Sequence, residues 1–450
     1  MLLLLLLHQG QHLAYGSPCD VTIPGCTCWQ EHGRRQIYCR DPDMDTIPTG
    51  STNPVAVYSL QITEMQATLM EPTFFLNLQI ERLYLSGNNI TRIDRFALTP
   101  SSESMVYLDL SDNQLGVIPT VVKDLHNLKT LVLTGNRIIS VYLDEPLEGI
   151  QSLHLDANPL LYTNLFSTHA SSFASDLRKL TISFRMTPGI HFVLDRFFIP
   201  SDMRDDLRIL TITDTLMSSS TPIHLGQNFE NLEYLGLEGD RLSLTAINRQ
   251  QTFESVKGTL RGLSLANNLL DGVPDRALRD LVLLEELDLS DNNINGISGI
   301  PSLPVLEVLN LEGNTIRDVS NFPPLSNLKV LHLGRNMISS VQEGDFSGVP
   351  GLQHLDLRDN RLTTLTPLVF TNQDLQNMQL LIGRNPWSCD CSNQCLIMTI
   401  QHDAELGEGP YVMSDMYQDI RCATGVIPNQ LLVDVYLRIC CDPQTGNACC

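Results

Sequence analysis

The sequence predicts an α/β solenoid, a stack of similar coils that each add one short strand to a parallel sheet. Three observations carry this reading. Between Leu284 and Leu362 the pattern Leu-x-x-Leu-x-Leu-x-x-Asn-x-apolar occurs four times, starting at Leu284, Leu306, Leu328 and Leu352. A period of 22–24 residues marks a repeat architecture. The same grammar, less regular, runs from Val57 to Asn385. The 12 cysteines avoid that region, four lying between Cys19 and Cys39 and eight between Cys389 and Cys450, the distribution expected of stapled ends in an oxidising compartment.

One repeat explains the pattern. Leu331 and Leu333 are two residues apart and so point to one side of a strand, while Val330 and His332 are left on the other. A single strand cannot bury its leucines, but stacking coils builds a continuous core. Asn336 falls where the chain leaves the strand. Its amide can bond the backbone of its own coil and of the adjacent one, satisfying groups that burial would otherwise leave unpaired.

Residues 1–16 read as a signal peptide, with an apolar run Leu2–Leu7 and small residues Ala14 and Gly16 before Ser17, although no basic residue precedes the leucines. Residues 17–56 form a cysteine-rich segment, Cys19-x6-Cys26-x-Cys28-x10-Cys39. Spacing alone leaves three pairings open, and a zinc site is disfavoured because these cysteines contain no Cys-x-x-Cys pair. Residues 57–385 are the array, about 14 strands beginning at a degenerate Val57-Leu60-Ile62. Phe74, Phe96, Phe253, Phe346 and Phe370 recur ahead of repeat starts and are expected to form a second row of core side chains. The stretch 160–260 is irregular: Arg185, Thr215 and Asp240 stand where asparagine is expected, and the spacings lengthen. Two readings are open, drifted repeats with outward loops such as Thr163–Asp176 and Pro188–Asp206, or a ligand-holding bend. The motif Asn385-Pro386-Trp387-Ser388-Cys389-Asp390-Cys391 leads from the array into residues 386–441, which also hold Cys422 and Cys440, and residues 442–450 are a cysteine-containing tail.

These motifs resemble those of extracellular leucine-rich repeat proteins, whose arrays are closed by N- and C-terminal cysteine-rich flanking caps, as in Toll-like receptors and Slit proteins. The resemblance implies a right-handed horseshoe with a parallel concave β-sheet. It implies disulfides Cys19–Cys28 and Cys26–Cys39 in the first cap, and Cys389–Cys422 and Cys391–Cys440 in the second. Cys395, Cys441, Cys449 and Cys450 lie outside that pattern.

The chain carries 29 basic against 51 acidic side chains, a net charge of −22. This disfavours nucleic acid and anionic membrane surfaces as partners. It fits a basic protein ligand, or simply a solvated acidic surface. No phosphate loop, His-Glu-x-x-His or nucleophile elbow is present, so neither catalysis nor a cofactor is expected. No apolar run is long enough to span a membrane, and the expected location is extracellular, secreted or at the cell surface if the chain continues. Asn89-Ile90-Thr91 is a glycosylation sequon whose Asn89 follows the buried Asn88.

Function is expected on the concave columns. Exposed tyrosines on a rigid sheet make good anchors, which selects Tyr84, Tyr107 and Asp109 toward the N-terminus. Glu286, Asp288, Asn310, His332, His354 and Asp356 form a polar group toward the C-terminus. Gly236, Gly262 and Ser264 are expected to leave a smooth gap between them. His332, His354 and Asp356 on neighbouring strands could hold a metal or sense pH, against the simpler reading of a solvated polar face. The function expected is a non-catalytic extracellular module that binds a protein ligand on its concave face. The alternative is a matrix or adhesion protein that self-associates as a disulfide-linked or concave-face homodimer.

Overall fold

The computed structural model describes residues 17–18, 26–40, 54–65, 68–72, 74–141, 147–161, 174–183, 205–214, 225, 229–320, 322–365, 367–370, 373, 378–389 and 422–425. The expected signal peptide, Cys19, Arg185, Thr215, Cys391, Cys395 and every cysteine from Cys440 onward lie outside these residues, as do most of the two central insertions. The chain divides into two compact units, Met1–Arg185 with Ile199–Asp206, and Met186–Phe198 with Leu207–Cys450.

The first unit opens with β1 (Ser17–Pro18) antiparallel to β2 (Cys26–Glu31), which pairs with β3 (Arg34–Arg40) as a hairpin. His32 and Gly33 form its two-residue turn with φ of 49° and 75°, the pair of positive angles that matches the twist of tight hairpins. Cys26 and Cys39 face each other across it and are disulfide-bonded, as the cap resemblance implies, and Cys28 is also disulfide-bonded. These bonds remove the zinc alternative, which needs free thiolates. β3 then lies parallel on β4 (Val55–Thr63), placing Ile37 beside Leu60 and Cys39 beside Ile62. The hairpin thereby covers the first coil with buried Ile37 and Cys39. β5 (Leu69–Met70) and β7 (Arg92–Ile93) make a small parallel pair on the return path. The ladder continues through β6 (Leu78–Tyr84), β8 (Tyr107–Asp109), β9 (Thr130–Val132), β10 (Ser152–Leu155) and β11 (Lys179–Ile182), each parallel to its neighbour.

The second unit repeats the arrangement. β12 (Ile209–Thr213), β13 (Tyr234–Glu238), β14 (Gly262–Ser264), β15 (Glu286–Asp288), β16 (Val308–Asn310), β17 (Val330–His332), β18 (His354–Asp356) and β19 (Gln379–Leu381) are parallel and in leucine-on-leucine register. β20 (Trp387–Cys389) pairs with β21 (Cys422–Gly425), with Trp387 opposite Cys422 and Cys389 opposite Gly425.

The repeat leucines are core. Leu83, Leu85, Leu108, Leu110, Leu309, Leu311, Leu331 and Leu333 are all fully buried. Beside them runs an asparagine ladder. Asn336 Nδ2 donates to Leu333 O of its own coil at 3.1 Å and to Leu311 O of the preceding coil at 2.9 Å, and its Oδ1 accepts Ile316 N–H at 3.0 Å. Asn88, Asn113, Asn136, Asn158, Asn268, Asn292, Asn314, Asn360 and Asn385 repeat the double donation. The carbonyls of Leu85, Leu110, Leu133, Leu265, Leu289, Leu311, Leu333 and Leu357 thus each receive two amides, one from their own coil and one from the next. At Ile382 O the second donor is the indole Nε1–H of Trp387, at 3.3 Å, with the ring fully buried. Trp387 therefore ends the ladder.

The residue before each ladder asparagine has a left-handed backbone. Gly87, Asp112, Gly135, Ala157, Asn267, Asp291, Gly313, Arg335, Asp359 and Arg384 have φ between 50° and 70°. This sharp turn lets the following amide point back into the stack. In the irregular stretch Gly239 keeps the turn at φ 69° before Asp240, which is buried at the asparagine position.

The far side of the coils is packed by aromatic rings. Phe74, Phe253, Phe346 and Phe370 are buried as the sequence predicts, joined by Phe75, Phe229 and Phe322. The Phe346 ring lies 6.1 Å from that of Phe370 and 6.3 Å from that of Phe322. Phe96 departs from the expectation: it is 61% exposed, because Ala97 and Leu98 take the core positions of its coil. Its backbone N–H is turned onto the Asp94 carboxylate at 2.9 Å.

Candidate functional site

In every short strand the central leucine faces the core and the two flanking side chains face the opposite side of the sheet. The structure places all nine candidate residues in those flanking positions.

In the first unit Tyr84 and Tyr107 sit on adjacent strands with ring centroids 4.9 Å apart and planes tilted by 36°. Both are half-buried, and the Arg82 guanidinium lies 5.8 Å from the Tyr107 centroid. Burial, and then the neighbouring Asp109 charge, push the Tyr107 hydroxyl up to about 12, so it remains a neutral donor. Asp109 accepts from Ser111 N–H at 2.9 Å and Ser111 Oγ at 2.6 Å. Tyr84, Tyr107 and Asp109 are therefore one preorganised cluster.

In the second unit Glu286 is exposed. Asp288 accepts from Ser290 N–H at 2.8 Å and from Asn310 Nδ2 at 3.2 Å, and Asn310 Oδ1 accepts Glu312 N–H at 3.0 Å. The His332 and His354 rings are 5.1 Å apart. His354 Nδ1 lies 2.8 Å from Gln379 Oε1, an oxygen that can accept a hydrogen bond from it. Burial, followed by the His354 charge, lowers the affinity of His332 for a proton. Asp356 differs from the others. It is 2% exposed, gripped by Arg358 through Nε at 3.0 Å and Nη2 at 2.6 Å, and capped by Arg358 N–H. Its carboxylate is thus engaged by that guanidinium, and among the described residues no group of three or more His, Cys, Asp or Glu could hold a metal ion.

The expected smooth gap is not open at Gly262. A Cβ at Gly262 would lie 2.5 Å from Tyr234 Cδ2, so the half-buried Tyr234 ring occupies the space the glycine leaves. Ser264 is 2% exposed beside it. Burial, then Glu238, push the Tyr234 hydroxyl up to about 12. Tyr234 stands in a concave column of the repeat pattern without having been chosen as a candidate, and Arg358 and Gln379 belong to this surface without being singled out by that pattern. The signals available were the column position of Tyr234 and the tendency of a glycine in a strand to admit a neighbour. Asn89 is exposed and follows buried Asn88.

Asparagine-laddered parallel coils with a solvent-facing strand surface are the leucine-rich repeat fold. Residues 79–138, 258–316 and 318–362 match the leucine rich repeat family. The chain is similar to epiphycan of Gallus gallus, 28% identical over 171 residues, which is 33% of this chain and 50% of that protein. It is also similar to a phospholipase A2 inhibitor of Gloydius brevicaudus siniticus, 32% identical over 91 residues, 20% of this chain and 27% of the inhibitor. The matches span half the length of the epiphycans. Among solved structures, the mouse RP105/MD-1 complex shares the fold with a TM-score of 0.50 at 18% identity, covering 84% of this chain and 78% of that one. Among the described residues no helix is long and apolar enough to cross a membrane.

Proposed function

We propose that this chain is a non-catalytic extracellular recognition protein that binds a protein partner on the solvent-facing side of its strands. The observation that carries the proposal is the stacked Tyr84–Tyr107 pair with Asp109 pinned beside it. Large rings held in place by neighbours bury contact area with little further loss of freedom, the usual character of binding hot spots. In the second unit Glu286, Asp288 and Glu312 give the strand surface an acidic character that fits a basic partner. Cysteine-rich caps at both ends, with the disulfide-bonded hairpin at the first, and the similarity to epiphycan support an extracellular location. Exposed Asn89, in its sequon, would carry a glycan there.

A panel of extracellular proteins screened against the wild-type chain and a Tyr84→Ala/Tyr107→Ala variant tests the reading. The expected result is a partner whose affinity falls at least tenfold in the variant. Partners that bind both chains equally, and lose binding only when residues away from the strand face are changed, would refute it. Self-association through the same face or through the tail cysteines is the second reading, supported by the cysteine surplus beyond the cap pattern. It predicts a dimer in sedimentation that dissociates on reduction or on the same tyrosine substitutions.

A further inference from the structure

A second surface lies beside the first strands, where the hairpin meets the coils. Gln30, Arg34, Arg35, Ala56, Tyr58, Glu81 and Val106 are among the residues lining a groove of about 670 Å³. The Tyr58 ring carries two guanidinium groups, Arg34 at 4.6 Å and Arg82 at 5.6 Å from its centroid. Arg35 is fixed by donation from Nη1 to Ala56 O at 2.8 Å. The Nε atoms of Arg35 and Arg82 are buried without an acceptor, and among the described residues none of the three arginines forms an ion pair. Elsewhere Arg208, Arg261, Arg335 and Arg358 each meet a carboxylate, and the chain as a whole has 51 acidic side chains to 29 basic. Three guanidinium groups therefore gather here against one lining carboxylate, Glu81, leaving a local excess of positive charge that an anionic ligand would complement.

We propose that this groove binds an acidic peptide segment, with a carboxylate side chain taking the in-plane N–H edges of Arg34 and Arg82 at Tyr58. Stacking uses the face of a guanidinium and leaves its edge for paired hydrogen bonds to a carboxylate. Ala56 and Val106 offer apolar wall, and the Gln30 amide can meet a peptide backbone. Glu81 at the wall repels a dense run of negative charge, which favours a peptide with spaced carboxylates over a sulfated polysaccharide. The site shares Arg82 with the tyrosine cluster of the strand face, so Arg34→Gln, which touches only the groove, separates the two readings.

The test uses the full chain and a fluorescein-labelled hexapeptide, capped at both ends, with two glutamates among leucine and glycine. Fluorescence polarisation is expected to saturate with the wild type despite its net charge of −22. Replacing both glutamates by glutamine should weaken binding at least tenfold. Arg34→Gln, at an exposed position, and Arg82→Lys, which keeps the charge but loses the fork and the stack, should each weaken it at least fivefold. Arg276→Gln on an exposed turn of the second unit should leave it unchanged. Absence of saturable binding, equal binding of the glutamine peptide, or indifference to Arg34→Gln would overturn the proposal. So would binding of a heparin-derived tetrasaccharide that the glutamate peptide does not displace.

Discussion

Asn292 and Asn293 are adjacent and chemically identical, and the fold assigns them opposite weights. Asn292 Nδ2 donates to Leu265 O at 2.9 Å, Leu289 O at 3.1 Å and Ser290 O at 3.0 Å, and Oδ1 accepts Leu270 N–H at 3.0 Å. Asn293 is exposed. In Asn292→Ala the three carbonyls each keep another donor: Leu265 O retains Asn268 Nδ2, Leu289 O retains Asn314 Nδ2 and Ser290 O retains Asn267 N–H. Leu270 N–H, in contrast, loses its acceptor. An orphaned buried donor costs about 1–3 kcal/mol, and the weakened carbonyl bonds add roughly 1 kcal/mol together, so Asn292→Ala should destabilise the second unit by about 2–4 kcal/mol. Asn293→Ala should stay within about 0.5 kcal/mol, as surface changes usually do. Urea unfolding followed by circular dichroism reads the difference as a shift of midpoint at constant slope. Amide exchange reads it locally, as loss of protection at Leu270. Equal midpoints for the two variants, or an undiminished Leu270 amide in Asn292→Ala, would refute the claim that the ladder holds the coils.

Two further outcomes follow from the backbone and the histidines. Ala157 has φ 54°, a conformation that costs a residue with a Cβ about 1–2 kcal/mol, against roughly 0.5–1 kcal/mol of extra freedom that glycine gains when unfolded. Ala157→Gly should therefore raise stability by about 0.5–1 kcal/mol, and a lowered melting temperature would contradict the left-handed turn. His332 and His154 bind protons less readily in the folded chain than a free histidine, in each case chiefly through burial, then through His354 and Lys179 respectively. The unfolded chain then holds more protons below about pH 6.5. The stabilisation is complete above that value and is lost as pH falls through the depressed folded values. Urea midpoints measured from pH 7.5 down to 5 should decline less steeply in His332→Gln than in the wild type; parallel declines would exclude His332 as a contributor.

Leucine spacing made the strand register legible in advance, because burial of Leu331 and Leu333 requires the same two-residue alternation in every coil. The asparagines were legible for a similar reason, being the one polar side chain that can serve a buried backbone on two sides. The left-handed residue before each asparagine was not. Glycine and aspartate mark it in many coils, but Ala157, Arg335 and Arg384 hold the same angle with unremarkable side chains, so residue type alone misses it. The surface was read less completely than the core. Asp356 alternates like its neighbours, yet the side chain of Arg358 two residues on removes its carboxylate from the face. Gly262 reads as empty space until the Tyr234 ring of the preceding strand is placed over it. Phe96 obeys the spacing of the inner row and still points outward, since Ala97 and Leu98 fill its coil. Each departure depends on which of two nearby side chains wins a position, and that is decided by packing that no single column of the pattern encodes.

The double occupancy of the ladder carbonyls also bears on how such a chain changes length. From Leu265 to Leu357 every junction offers an incoming coil the same half-filled acceptor and expects the same amide in return. If residues 293–314 were excised, Asn292 would join directly to Thr315, and Asn336 would present to Leu289 O the donor that Asn314 supplies now. Whole coils can thus be gained or lost by recombination without new chemistry at the joint. The carbonyl of Ile382 has no such freedom: its second donor is an indole, so copy number can drift in the interior while the terminus stays fixed.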